Sequence, residues 1–153
     1  MKKQEKARSP ENSKRDHRDL GQELDLFSFH EVAPGAPFWH PKGMIIIKEL
    51  EKFIREIQDG HGYAEISTPI MAKKELFEKS GHWKHFKENM FWFKNPRDKN
   101  EVLALKPMNC PASTYVYSST TRSYKDLPLR LAELGRLHRN ELSGTLGGLF
   151  RVR

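Results

Sequence analysis

Arg139 and Glu141 lie two residues apart in Leu137–Arg153, LHRNELSGTLGGLFRVR, and this is where the chain's types and spacing best suit chemistry. On an extended strand, side chains at i and i+2 leave the same face. Arg139 and Glu141 can therefore project together, and Arg151 with Arg153 can do so from a returning strand. Guanidinium forks hold oxyanions bidentately, and a carboxylate accepts from an amine. One acid among several bases thus suits a ligand with phosphate oxygens and a donor group, features that ATP combines. The intervening Ser143-Gly144-Thr145-Leu146-Gly147-Gly148 supplies the backbone freedom of a loop that covers a nucleotide. Spacing alone favours the plainer alternative, a surface hairpin with solvated charges.

Metal chemistry has a thinner basis. Cys110 is the single cysteine, so an internal disulfide is excluded and a reducing compartment is expected. A lone cysteine is more often a small buried residue than a ligand. His82 and His85 in GHWKHF can share a helix face, yet two such histidines are more often surface or capping residues than ligands.

The elements that must position these residues follow from periodicity. Leu20, Leu24 and Phe27 within Asp16–Phe27 predict a short amphipathic helix with Gly21 as its weak point. Pro34–Trp39 is turn-rich and reads as a loop or short edge strand. Ile46, Leu50, Phe53, Ile54 and Ile57 predict a long helix from Pro41, with Glu51 and Arg55 paired on its polar side and Asp59-Gly60-His61-Gly62 as its stop. Tyr63–Thr68 reads as a strand ending at Pro69, which cannot donate to a ladder, and Met71–Ser80 as a helix closed by Gly81. Met90–Phe93 and Val102–Leu105 are β-rich runs joined by turn residues, hence a hairpin. Pro111 suits the first turn of a helix running toward Thr121. Leu127–His138 fits a helix by one set of leucines and a strand by another. This mixture predicts an α+β domain with a mainly antiparallel sheet.

A chain of 153 residues is long enough for one domain with a real core, or for a piece of one. Its formal charge of +7 suits a polyanionic partner, although much of the excess lies in a basic tail over residues 1–15, expected to be disordered. No apolar segment follows those charges as in a signal peptide, and Met44–Ile47 is the greasiest run, far short of a membrane span. A cytoplasmic protein without a membrane partner is expected.

Local signatures in order then carry a resemblance over Asp16–Arg153. DHRDLGQELDLF, APGAPFWHPKGMIII, GYAEISTPIM with GHW, ALKPMNCP and HRNELSG resemble the catalytic core of threonyl-tRNA synthetases, class II aminoacyl-tRNA synthetases. GYAEISTPIM is similar to motif 1 and HRNELSGTLGGLFRVR to motif 2, while KPMNCP beside HRNELSG separates threonine from proline or serine specificity. The resemblance implies the class II fold over residues 16–153, incomplete at its C-terminal side.

It also implies roles. Arg139 would hold the α-phosphate of ATP and the threonine carboxylate, Glu141 would accept from the adenine amino group, and Arg151 would add a phosphate contact. Arg153 is as readily structural. Met108 would line the amino-acid pocket, with core filling as its plainer role. Cys110 would be one of three protein ligands to zinc, the other ligands being histidines expected beyond Arg153. Zinc with open positions could take threonine by its amino and hydroxyl groups and so reject valine. Pro69 would lie against the second subunit of a homodimer, although its sequence role as a strand terminator is equally satisfied alone. ATP with Mg2+, threonine and tRNA(Thr) are the implied substrates. The segment alone is expected to be inactive or nearly so. One departure is that Ala112-Ser113 follow MNCP where the family has Gly-His. A catalytically silent paralogue binding RNA or a protein is the alternative, and another class II specificity a third.

Overall fold

A computed structural model describes residues 15–142 and 148–150. Helix α1 (His17–Glu23) begins on a capping box, in which the Asp16 side chain accepts from the Arg18 amide and Asp19 reaches back to the Asp16 amide. The predicted helix to Phe27 stops early: Asp25 takes a left-handed φ of 59°, and the chain reverses into strand β1 (Phe27–Phe29). Gly21 is buried against the Phe27 ring, where any Cβ would collide with it, so this glycine serves close approach. Strand β1 pairs antiparallel with β2 (Pro37–Trp39), with Ser28 opposite Phe38.

Helix α2 (Pro41–Gly60) follows, with proline in its first turn as the sequence predicts. Arg55 bridges to Glu51 at 3.5 Å and, more closely, to Glu65 at 2.9 Å. Among the described residues its apolar stripe enters no core: Leu50 and Phe53 are 56% and 57% exposed. Strand β3 (Ala64–Glu65) is shorter than the predicted strand and runs parallel to β7 (Leu131–Ala132), which resolves the ambiguity over Leu127–His138 in favour of extended chain.

The helix predicted over Met71–Ser80 divides. Met71–Lys73 forms strand β4, and only Lys74–Lys79 forms helix α3. The reason is tertiary, since β4 pairs antiparallel with β6 (Val102–Leu105). Helix α4 (His82–Phe86) and strand β5 (Trp92–Lys94) come between them, and β5 completes a sheet of order β4-β6-β5. The β5–β6 hairpin is as predicted. Phe77, Met90 and Ala104 form the buried cluster on this sheet, with Leu76 and Trp83 packed around it. Helix α5 (Cys110–Ser118) carries Pro111 in its first turn and stops short of Thr121. The fold is thus the expected α+β class with mainly antiparallel pairing, β3–β7 being parallel. Among the described residues no helix is long and apolar enough to cross a membrane.

The predicted hairpin over Leu137–Arg153 is corrected where it is described. Leu137–Leu142 carries no strand, and Gly148–Phe150 is a 3-10 turn packed on α1. The amides of His138 and Asn140 donate instead to the carbonyls of Lys106 and Asn89, so they are not offered to a returning strand. Gly148, at φ 59°, directs Leu149 and Phe150 onto His17. Arg151 and Arg153, the turn 143–147 and the tail up to Lys14 lie outside the described residues.

Candidate functional site

The run Leu105–Cys110 organises the site because each residue from Lys106 to Asn109 grips another part of the chain. Lys106 leaves β6 with its amide on the Ile70 carbonyl (2.8 Å) and its own carbonyl on the His138 amide (3.0 Å). The Pro107 carbonyl accepts from Arg139 Nε at 2.9 Å. Met108 Sδ lies 2.8 Å from His82 Nε2 at the start of α4. Asn109 Nδ2 donates to the Glu133 carbonyl at 3.1 Å, and its side chain fills the space where a Cβ on Gly135 would stand.

These grips hold the extended arm Glu133–Glu141 beside a cavity of about 390 Å³ lined by His82, Phe86, Asn89, Met90, Pro107, Met108, Arg139, Glu141 and Leu142. Arg139 and Glu141, paired by their spacing, and Met108, named by the resemblance, line one concavity. With Nε committed to Pro107, the terminal guanidinium nitrogens of Arg139 are its donors for a ligand oxyanion. A cavity lined by an arginine fork, a carboxylate and the apolar side chains of Met108, Phe86 and Met90 matches a mid-sized ligand with charged and apolar parts.

Cys110 is apart from this wall: it opens α5, exposed, and is not among the cavity residues. Among the described residues no group of three histidines, cysteines or carboxylates could hold a metal. Pro69 is exposed at the end of β3's segment and borders a separate apolar groove with Met71, Leu76, Tyr115 and Val116.

Residue spacing did not reveal two features. His82 was weighed with His85 as a helix-face pair and as part of GHW, but its place in the cavity depends on α4 folding against the Met108 turn. The other is a buried ion pair. Lys106 and Glu133 side chains are 2% and 6% exposed, with Nζ to Oε1 at 2.8 Å. Lys106 Nζ also donates to Thr68 Oγ1 (3.0 Å), and Glu133 accepts from the Thr68 amide (2.7 Å). Burial pushes the Glu133 carboxyl up, but the bonds from Lys106 and Thr68 more than offset this and hold it below its ordinary value.

With this geometry in place, comparison with known proteins is informative. The family model for the class II core domain of tRNA synthetases (G, H, P, S and T) matches residues 91–153. The chain is 58% identical over 143 residues to a threonine–tRNA ligase of Caldanaerobacter subterraneus subsp. tengcongensis, covering 94% of this chain and 22% of that protein. Among solved structures, it is similar to the RNA binding domain of threonyl-tRNA synthetase from Cryptosporidium parvum, with TM-score 0.84, 45% identity, and coverage of 92% of this chain and 34% of that one. A putative threonyl-tRNA synthetase from Aeropyrum pernix gives TM-score 0.78 at 33% identity, over 91% of this chain and 33% of that one. The chain spans about a fifth of the length of the curated relatives it matches.

Proposed function

We infer, from the premise that this chain has the class II aminoacyl-tRNA synthetase core fold and is similar to threonine–tRNA ligases along nearly all of its length, that it forms the ATP- and threonine-facing part of such a ligase. The complete protein activates threonine to threonyl-adenylate and transfers it to tRNA(Thr). The convergence of Arg139, Glu141 and Met108 on one cavity carries this reading.

In the proposed reaction a threonine carboxylate oxygen attacks the α-phosphorus of Mg2+-bound ATP. The new O–P bond forms as the bond to pyrophosphate breaks. Threonine's carboxylate is already ionised, so no general base is required, and placement of the reactants supplies much of the rate. Arg139 spans the attacking carboxylate and the α-phosphate, where charge develops in the transition state. Glu141 accepts from the adenine amino group, and Met108 shapes the amino-acid pocket. Arg151 lies outside the described residues, and its phosphate contact rests on the motif 2 resemblance alone.

Cys110 offers one exposed sulfur donor. The donors among the described residues do not complete a zinc site with it, so no step is derived through the metal. As one ligand of three, it requires donors from outside those residues. Zinc content that is unchanged by Cys110→Ala would remove this assignment. A second copy of the chain is the proposed cover for α2's open face and for exposed Pro69.

The function is tested by placing this chain in the corresponding segment of the Caldanaerobacter ligase and measuring threonine-dependent exchange of pyrophosphate into ATP. Exchange with threonine is expected, and Arg139→Ala should lower it about 100- to 1,000-fold. Exchange with proline or serine instead would assign another specificity. A chimera that folds but supports no exchange would favour the non-catalytic, RNA- or protein-binding alternative.

A further inference from the structure

The arm that carries Arg139 has no strand partner over Leu137–Leu142, so its position depends on discrete bonds. Asn140 bonds to Asn89 and Arg139 to Pro107, while Lys106 alone takes bonds from both the arm and its start at Glu133. Lys106 receives the His138 amide on its carbonyl, binds Ile70 through its own amide, and reaches Thr68 and Glu133 through Nζ. Three chain segments, the end of β6, the Thr68–Ile70 stretch after β3 and the arm after β7, therefore meet at a single side chain.

An ammonium buried in this way is an expensive fastener. Removing charges from water costs several kcal/mol per ion, and apolar replacements of buried pairs are often no less stable. Its advantage is directional: Nζ and the carboxylate accept only certain geometries, whereas an apolar contact slides. Glu133 is committed on both flanks, its carboxylate to Lys106 and Thr68 and its carbonyl to Asn109. This leaves Glu133–Arg139 pinned at both ends by Lys106–Asn109, since Pro107 holds the Arg139 guanidinium itself.

We propose that Lys106, through its buried ion pair with Glu133, is a positioning residue that sets where the Arg139 guanidinium stands in the cavity. Lys106 is not among the residues that line that cavity. It acts through the arm, and the proposal rests on the function assigned above to Arg139.

The test uses the same chimeric ligase with Glu133→Gln, which is near-isosteric and keeps an acceptor for Thr68, and with Lys106→Met/Glu133→Leu, which removes both charges. A purely structural ion pair predicts that the double variant, once its melting temperature is recovered, regains full exchange. Positioning predicts that kcat for exchange stays depressed by about 10- to 100-fold in both variants at recovered stability, the scale of a misplacement near 1 Å. KM for threonine should move less than kcat. Full kcat in either folded variant would overturn the proposal.

Amide hydrogen exchange in this chain itself provides a readout independent of catalysis. In Glu133→Gln, the His138 and Asn140 amides should exchange about tenfold faster while the β5–β6 amides hold, consistent with local opening of one segment. Unchanged protection there would reject positioning. An inactive wild-type chimera beside accelerated His138 and Asn140 exchange would place the failure in the functional reading and leave the positioning of the arm supported.

Discussion

Helix α2 and the arm Glu133–Glu141 solve opposite problems. Helix α2 is locally complete, with proline in its first turn, regular i,i+4 charge pairs and twenty residues of continuous helix, yet its apolar stripe faces outward. The arm has almost no regular structure, yet its residues are fastened by a buried ion pair, backbone bonds to Lys106 and Asn89 and the Arg139–Pro107 bond. Regular secondary structure and tertiary order are thus separable here. The segment proposed to do chemistry is held by specific polar bonds, and the most regular element leaves apolar side chains exposed.

Substitutions that strike one region and spare the other make this contrast testable. The largest effect belongs to the packed cluster on the β4-β6-β5 sheet: Phe77→Ala should cost about 3–5 kcal/mol in unfolding free energy, read by urea melts. Acid comes next. Because Glu133 is held below its unfolded value, its stabilisation is complete above the ordinary carboxylate range and is lost as pH falls through the lower folded value. Melting temperature should therefore decline below about pH 4, and Glu133→Gln should flatten that decline. An unchanged acid slope in the variant would detach the arm's order from the ion pair.

Smaller effects probe the helices. Asp16→Ala removes the cap of α1 and should cost about 0.5–2 kcal/mol. Phe53→Ala on α2's open face should change unfolding of the isolated chain by less than about 0.5 kcal/mol. In a self-associated form the same change should weaken association, measured by sedimentation velocity. A large loss of monomer stability from Phe53→Ala would show that α2 packs internally and would erase the contrast.

Much of this molecule was legible from residue order. The period of Ile46, Leu50, Phe53 and Ile57 marks α2, and the turn chemistry of Asn95–Asn100 marks the β5–β6 hairpin. The nominations of Arg139, Glu141 and Met108 fall on one cavity. Failures occur where a distant partner outweighs local propensity. Met71–Lys73 is strand because Leu103–Leu105 lies beside it, and the helix toward Phe27 ends because Phe27 must reach Gly21 and Trp39. The hairpin over Leu137–Arg153 fails in its described part because its amides find other acceptors.

Sequence by itself therefore determined the elements governed by near neighbours: helix caps, the amphipathic period, turn residues and the ordered motifs from GYAEISTPIM to HRNELSG. Only tertiary structure decided that Lys106 pairs with Glu133 and Thr68, that His82 joins the cavity and that no described residue covers Leu50 and Phe53 on α2. Periodicity encodes which face of an element is apolar, because that depends on backbone geometry alone. It cannot encode which distant carboxylate will neutralise a buried ammonium, because that depends on where the whole chain places its segments.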